Sequence, residues 1–148
     1  PLSATIAKRD IMNWPPGAHA STFGGNPVSI AAALATLDLL EDGLIENAAE
    51  LGAYILNRIA SWPERFRYVG DVRGLGLMIG IELVLDRKTK ERAPELRDRL
   101  ESLAFERGLL VLGAGANSIR LCPPLVITRE QADFAVDTLE QCLEALPQ

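Results

Sequence analysis

Apolar residues recur along this chain at two spacings, one near 3.6 and one near 2, and the switch between them divides the sequence into elements. Ile30, Leu34, Leu37 and Leu40 follow an Asn26-Pro27 pair, which reads as a helix N-cap with proline in the first turn. Asp42-Gly43 interrupts that stripe. Leu44, Ala48, Leu51, Ile55 and Ile59 then mark a second amphipathic helix that stops before Trp62-Pro63. From residue 66 the period changes to two, with Leu75, Leu77, Ile79, Ile81 and Leu83 on one face. Gly74, Gly76 and Gly80 strip side chains from the alternate positions, which invites a close-packed neighbour. Segments 66–73 and 75–85 predict an antiparallel hairpin. Leu96, Leu100, Leu103 and Ala104 return to helical spacing and end at Gly108, a helix C-terminal signal. Short strands are expected at 109–112 and 118–122, around the glycine-rich turn 113–117. Thr128 with Gln131 forms a capping box ahead of Ala132, Val136, Leu139, Leu143 and Leu146.

Before Asn26 the pattern is weaker. Residues 2–12 predict a short strand and turn, and Asn13-Trp14-Pro15-Pro16-Gly17 an irregular loop. This segment carries too little apolar material for a domain and reads as the edge of a neighbouring one, in keeping with a chain that starts Pro1-Leu2-Ser3 and looks cut from something longer. The predicted fold class is α+β: an antiparallel sheet covered on one face by helices.

Composition narrows the function classes. With 148 residues, 48% apolar and 24% charged, the chain can bury a core of about one domain. Net charge is −5 with an isoelectric point near 4.9, and the basic residues are scattered among acids, which argues against a nucleic-acid partner. The apolar stretches 28–40 and 74–85 are broken by Asp38 and Glu82 and fall short of the roughly 20 residues that span a bilayer. Cys122 and Cys142 lack a Cys-x-x-Cys spacing or companion histidines, so free thiols, no metal site and a cytoplasmic location are expected.

Two places carry candidate chemistry. Residues 19–27, His-Ala-Ser-Thr-Phe-Gly-Gly-Asn-Pro, set the hydroxyls of Ser21 and Thr22 beside two glycines and a helix start, a means of bringing donors up to an oxyanion. Its bland reading is a Gly-Gly turn with solvated hydroxyls. Arg120 alternates with Ile119 and Leu121 ahead of Pro123-Pro124, and a guanidinium on a stiff strand suits bidentate capture of a carboxylate. Its bland reading is a solvated edge-strand arginine. His19, Lys8 and the charged run 87–92 are read as surface residues without a catalytic role, and Trp14 and Trp62 as packing or interface residues.

Three segments resemble the class III aminotransferases, the pyridoxal-phosphate enzymes related to ornithine and 4-aminobutyrate aminotransferases. They are the 19–27 segment, Asp71-Val72-Arg73-Gly74-Leu75-Gly76-Leu77-Met78-Ile79-Gly80-Ile81-Glu82, and Ser118-Ile119-Arg120-Leu121-Cys122-Pro123-Pro124-Leu125. The resemblance covers essentially the whole chain. It implies the small C-terminal domain of a fold-type I enzyme over 28–148, with 1–27 a remnant of the large cofactor-binding domain that includes the phosphate-contacting loop. It further implies that Thr22, with Ser21 as a second contributor, contacts the phosphate of pyridoxal 5'-phosphate across a homodimer interface. Arg120 would grip the substrate carboxylate, while the glycine-rich strand with Arg73 is mostly structural. No catalytic residue is expected in this chain: the Schiff-base lysine would lie a few residues before a Gly-x-Pro-Leu-x-Ala sequence, of which Pro1-Leu2-Ser3-Ala4 looks like the end, so the fragment should be inactive alone. The favoured amino donor is a 4-aminobutyrate-like ω-amino acid, with a 2-oxo acid as acceptor; ornithine and acetylornithine remain open. The rival reading is a non-enzymatic module that binds a small molecule or dimerises.

Overall fold

The computed structural model describes residues 2–147. These divide into two compact units, one ending at Gly43 and the other starting at Leu44.

In the first unit, residues 2–8 form no strand, because nothing among the described residues pairs with them. The expected turn is present: the N–H groups of Ile11 and Met12 donate to the Lys8 carbonyl at 2.9 and 3.1 Å. The Pro15-Pro16-Gly17 loop is irregular, with Gly17 at φ +85°, and Trp14 meets His19 edge to face. Helix α1 (Pro27–Leu39) starts where the sequence predicts, since Asn26 Oδ1 accepts from the N–H groups of Val28 and Ser29 at 3.0 and 3.2 Å. Its apolar stripe does not become a core face. No residue of α1 is buried, and Val28, Leu34, Leu37 and Leu39 are all exposed; a helix apolar on every side is the kind that a larger assembly encloses.

In the second unit a five-stranded antiparallel sheet has the path β1 (Val69–Leu75), β2 (Met78–Asp86), β5 (Ser118–Leu121), β4 (Leu112–Ala114), with β3 (Glu91–Arg92) on the far half of β2. Helices α2 (Ile45–Ile59), α4 (Pro94–Glu106) and α5 (Arg129–Glu144) cover one face. Leu77, Ile79, Ile81, Leu83 and Ile119 point into that layer and meet Ile55, Ile59, Leu100, Leu139 and Val136 in one core. This is the predicted α+β arrangement. Leu75, though in phase with the buried residues by simple alternation, is exposed: the strand turns over at Gly76, φ +54°, and Leu75 faces Met78 on the other side of the sheet.

Three boundaries differ from the expectation for identifiable reasons. The first hairpin turns at Gly76-Leu77 and not near Gly74, because Gly76 supplies the left-handed conformation. The second hairpin sits later as well, with β4 running through Gly113 and the turn at Gly115, φ +61°. Asn117 fixes it: its Nδ2 donates to the Leu83 carbonyl at 2.6 Å, and its own carbonyl accepts from Leu83 N–H at 2.7 Å. Finally, Trp62-Pro63 does not merely end a helix but opens the one-turn helix α3 (Trp62–Arg65), which inserts the fully buried Trp62 beside Phe66.

Polar ties join α2 to α5. Tyr54 donates to Asp133, and Arg58 donates to Asp133 at 2.7 Å and to Asp137 at 2.6 Å. The Tyr54 hydroxyl first, and Arg58 after it, hold the Asp133 carboxyl below its usual range. The capping box of α5 is complete, with Thr128 and Gln131 exchanging both hydrogen bonds, a feature worth about 1 kcal/mol.

Candidate functional site

The first candidate region is the turn before α1. Ser21 Oγ accepts from the Gly24 N–H at 3.1 Å, closing a tight turn that leaves a Cβ on Gly24 only 3.2 Å from that of Ser21. Gly25 follows at φ +74° with open space around it. The Ser21 oxygen is therefore committed as an acceptor while its proton is still available. The Thr22 hydroxyl has no protein partner among the described residues, and both side chains are exposed. Exposed hydroxyls beside a bare glycine form a donor set that fits an oxyanion. No acid lies within the 19–27 segment to oppose one.

The second region is the face of the sheet that the helices leave uncovered. Strand pairing sets Arg73, Gly80, Arg120 and Leu112 in one transverse row, and Asp71, Glu82, Ser118 and Ala114 in the next. Ile119 and Leu121 are buried on the helix side, so alternation turns Arg120 out to the open face. Arg120 makes no ion pair among the described residues. Arg73, by contrast, is paired: its Nη1 lies 2.7 Å from Asp71 Oδ2 and 2.7 Å from Glu82 Oε2. Those two carboxylates hold its guanidinium above the ordinary arginine range, Asp71 more than Glu82. It is an interior residue of β1, tied to two acids.

Gly80 separates the two arginines. A Cβ there would meet nothing nearer than the Arg73 carbonyl at 4.0 Å, so the glycine is not demanded by packing within this chain. Gly74 is of the opposite kind: its Cβ would lie 2.6 Å from the Met78 carbonyl, and it serves the hairpin. At the end of β5 a largely apolar depression of about 600 Å³ is lined by Leu112, Arg120, Cys122, Pro123, Val126 and Phe134 together with the core residues Ile55, Leu121 and Val136, which places it toward the helix side of the sheet. The structure thus gathers Arg120, Gly80, Arg73, Asp71 and Glu82 on one surface, while Ser21 and Thr22 belong to the other compact unit. The Asp71–Arg73–Glu82 cluster was not singled out from sequence, although the register of a hairpin turning at Gly76 would have paired those positions. Among the described residues no group of His, Cys, Asp and Glu could hold a metal ion, and no helix is long and apolar enough to cross a membrane.

Comparison with known proteins gives the family. The sequence model of the family "Aminotransferase class-III" matches residues 1–143. A leucine/methionine racemase of Thermococcus litoralis is 42% identical over 97% of this chain and 33% of its own length. An ornithine aminotransferase of Bordetella pertussis is 41% identical over the same shares of each. Among solved structures, an amine transaminase from an uncultivated Pseudomonas species, in a PLP-bound form, superposes with a TM-score of 0.82 and 38% identity, over 87% of this chain and 30% of that one. The chain spans about a third of the length of the curated relatives it matches. The family match across nearly all of its length carries the assignment: this chain belongs to the class III aminotransferases.

Proposed function

We propose that this chain is the C-terminal part of a pyridoxal-phosphate-dependent aminotransferase that moves an amino group from a carboxylate-bearing donor to a 2-oxo acid. The observation that carries the reading is Arg120, a cation without an ion-pair partner among the described residues, held on a strand next to bare Gly80 in a family of this chemistry. The cofactor, when bound, supplies the electron sink that makes the bonds at the substrate's amine-bearing carbon labile. The chain's own residues bind and orient. Thr22 donates its hydroxyl to the cofactor phosphate, and Ser21, its acceptor side occupied by Gly24 N–H, adds a second donor. Arg120 receives the substrate carboxylate in a fork of two parallel hydrogen bonds, which fixes the orientation of the amine relative to the reacting group.

In this proposal residues 1–27 belong to the large domain and 28–148 to the small one. The intact enzyme is a homodimer in which Thr22 serves the partner's cofactor; the unburied apolar side chains of α1 support its enclosure within such an assembly. A cytoplasmic location is supported by two free thiols, Cys122 and Cys142. The donor favoured is a 4-aminobutyrate-like ω-amino acid. A second reading, racemisation of an apolar amino acid, is favoured by the likeness to a leucine/methionine racemase.

One experiment separates the two. The complete enzyme is incubated with pyridoxal phosphate and either 4-aminobutyrate plus 2-oxoglutarate or L-leucine alone, and glutamate formation and loss of optical purity are followed. Glutamate formation supports amino transfer. Racemised leucine without glutamate favours the second reading, and neither signal rejects 4-aminobutyrate as donor and leucine as the racemised substrate.

A further inference from the structure

We propose that Arg73 is a positioning residue for substrate binding: it holds the Glu82 carboxylate away from Arg120 and so keeps Arg120 free for an incoming carboxylate. The inference rests on the reading of Arg120 given above and adds to it a residue that would not touch substrate.

The argument is one of register. Gly80 on the central strand β2 lies directly opposite Arg73 on one side and Arg120 on the other. Glu82 is two residues along the same strand and on the same face, so it is diagonal to both arginines at once. Diagonal cross-strand positions are about 7–8 Å apart, within reach of long side chains. Glu82 can therefore pair with either arginine, and no side chain at position 80 intervenes. In the structure it pairs with Arg73, at 2.7 Å.

Asp71 decides the outcome. It lies directly opposite Glu82, an arrangement of like charges that is unfavourable in a sheet unless a cation sits between them. Arg73 provides that cation, bonded to both acids. With Arg73 gone, two opposed carboxylates would be left without it. Glu82 would relieve the repulsion by turning along its other diagonal to Arg120, where it would compete intramolecularly with the substrate carboxylate. An exposed ion pair adds little to fold stability, so this role predicts a binding defect in a protein that still folds.

The test uses the complete enzyme and glutarate, a dicarboxylate that lacks the oxo group and acts as a dead-end competitor. Arg73→Met is expected to raise the glutarate inhibition constant and the KM for 2-oxoglutarate about 10-fold while kcat changes by less than about 2-fold. Arg73→Lys, which retains the cation, is expected to stay within about 3-fold of wild type, and the double variant Arg73→Met/Glu82→Gln to return to about that range. The proposal is overturned if Arg73→Met leaves the inhibition constant unchanged, or if the loss persists in the double variant, which would mark Arg73 as merely structural. Arg120→Met is run in parallel: unchanged glutarate inhibition there removes Arg120 as the carboxylate anchor and the proposal with it, whereas a loss there combined with a silent Arg73→Met overturns the positioning role alone.

Discussion

Gly52 of α2 rests backbone to backbone on Gly76 of the first hairpin: a Cβ built on Gly52 would fall 2.1 Å from the Gly76 carbonyl oxygen. The turn that ends β1 is therefore set by a helix more than twenty positions earlier in the chain. Nothing flexible lies between them to give way. Gly52→Ala should destabilise the second unit by about 1–3 kcal/mol through overpacking, read as a lower denaturation midpoint. An alanine variant as stable as wild type would show that the helix can lift off the hairpin at no cost.

Thr22→Ala should weaken retention of pyridoxal phosphate in the complete enzyme. A hydrogen bond to a charged group contributes roughly 1.5–3 kcal/mol, equivalent to about 10- to 100-fold in affinity. Equilibrium dialysis of the cofactor against both proteins measures it, and equal affinities would remove Thr22 from the phosphate site. Ser21→Ala should in addition loosen the turn that Ser21 closes on Gly24.

Arg120→Lys should impair carboxylate-bearing substrates well beyond any effect on folding. Loss of the forked contact costs on the order of 2 to 5 kcal/mol where the pair is buried by the bound substrate. Steady-state kinetics with an amino acid and with a simple amine give the comparison. A loss of the same size for both would assign Arg120 to structure.

Acid should weaken the second unit in a defined direction. Asp133 is held below its usual range by Tyr54 and then Arg58, and Asp86 by the N–H groups of Thr89 and Lys88. A carboxyl whose folded pKa lies under its unfolded value of about 3.9 stabilises the fold above that pH and loses its contribution as pH falls through the folded value. Thermal midpoints measured from about pH 6 downward should hold level and then drop below about pH 4, with a shallower drop in Asp133→Asn. Parallel acid limbs in the two proteins would argue against the Tyr54–Asp133–Arg58 contact.

The 148-residue chain by itself should form no specific borohydride-trapped adduct with pyridoxal phosphate. Its lysines are Lys8, Lys88 and Lys90, and all three are exposed, whereas an amine activated for imine chemistry is desolvated or set beside another cation in a closed site. Mass spectrometry after reduction decides the matter. A stoichiometric adduct at one lysine would mean that an activated amine is present after all.

What the sequence made legible was local. The Asn26 and Thr128 caps, the Gly108 stop and the alternation through Ile79, Ile81 and Leu83 are each dictated by neighbours a few positions away, and each is found in the structure. Phase across a turn was not legible, because which glycine takes the left-handed conformation depends on what packs against it. Gly76 was chosen over Gly74 by the Gly52 contact and the strand register, both long-range. The strand expected at 2–12 failed for a related reason: β structure needs a partner, and none is present among the described residues. The motif around Arg120 was plain in the sequence, but its lack of an acid partner among the described residues and the capture of Glu82 by Arg73 required the pairing of three strands.

The two tryptophans make the molecule's two halves optically distinct. Trp14, in the unit ending at Gly43, is half open to water, whereas Trp62, in the other, is sealed with its ring edge-on to Phe66 and its indole N–H without a hydrogen-bond partner among the described residues. An indole in so apolar a cage emits to the blue and is beyond the reach of a soluble quencher such as acrylamide; a wet one emits to the red and is quenched readily. Red-edge emission therefore follows the segment bearing Ser21 and Thr22, and blue-edge emission follows the sheet bearing Arg120. In the 148-residue chain the unfolding of the two units can be watched separately in one cuvette, with no label added.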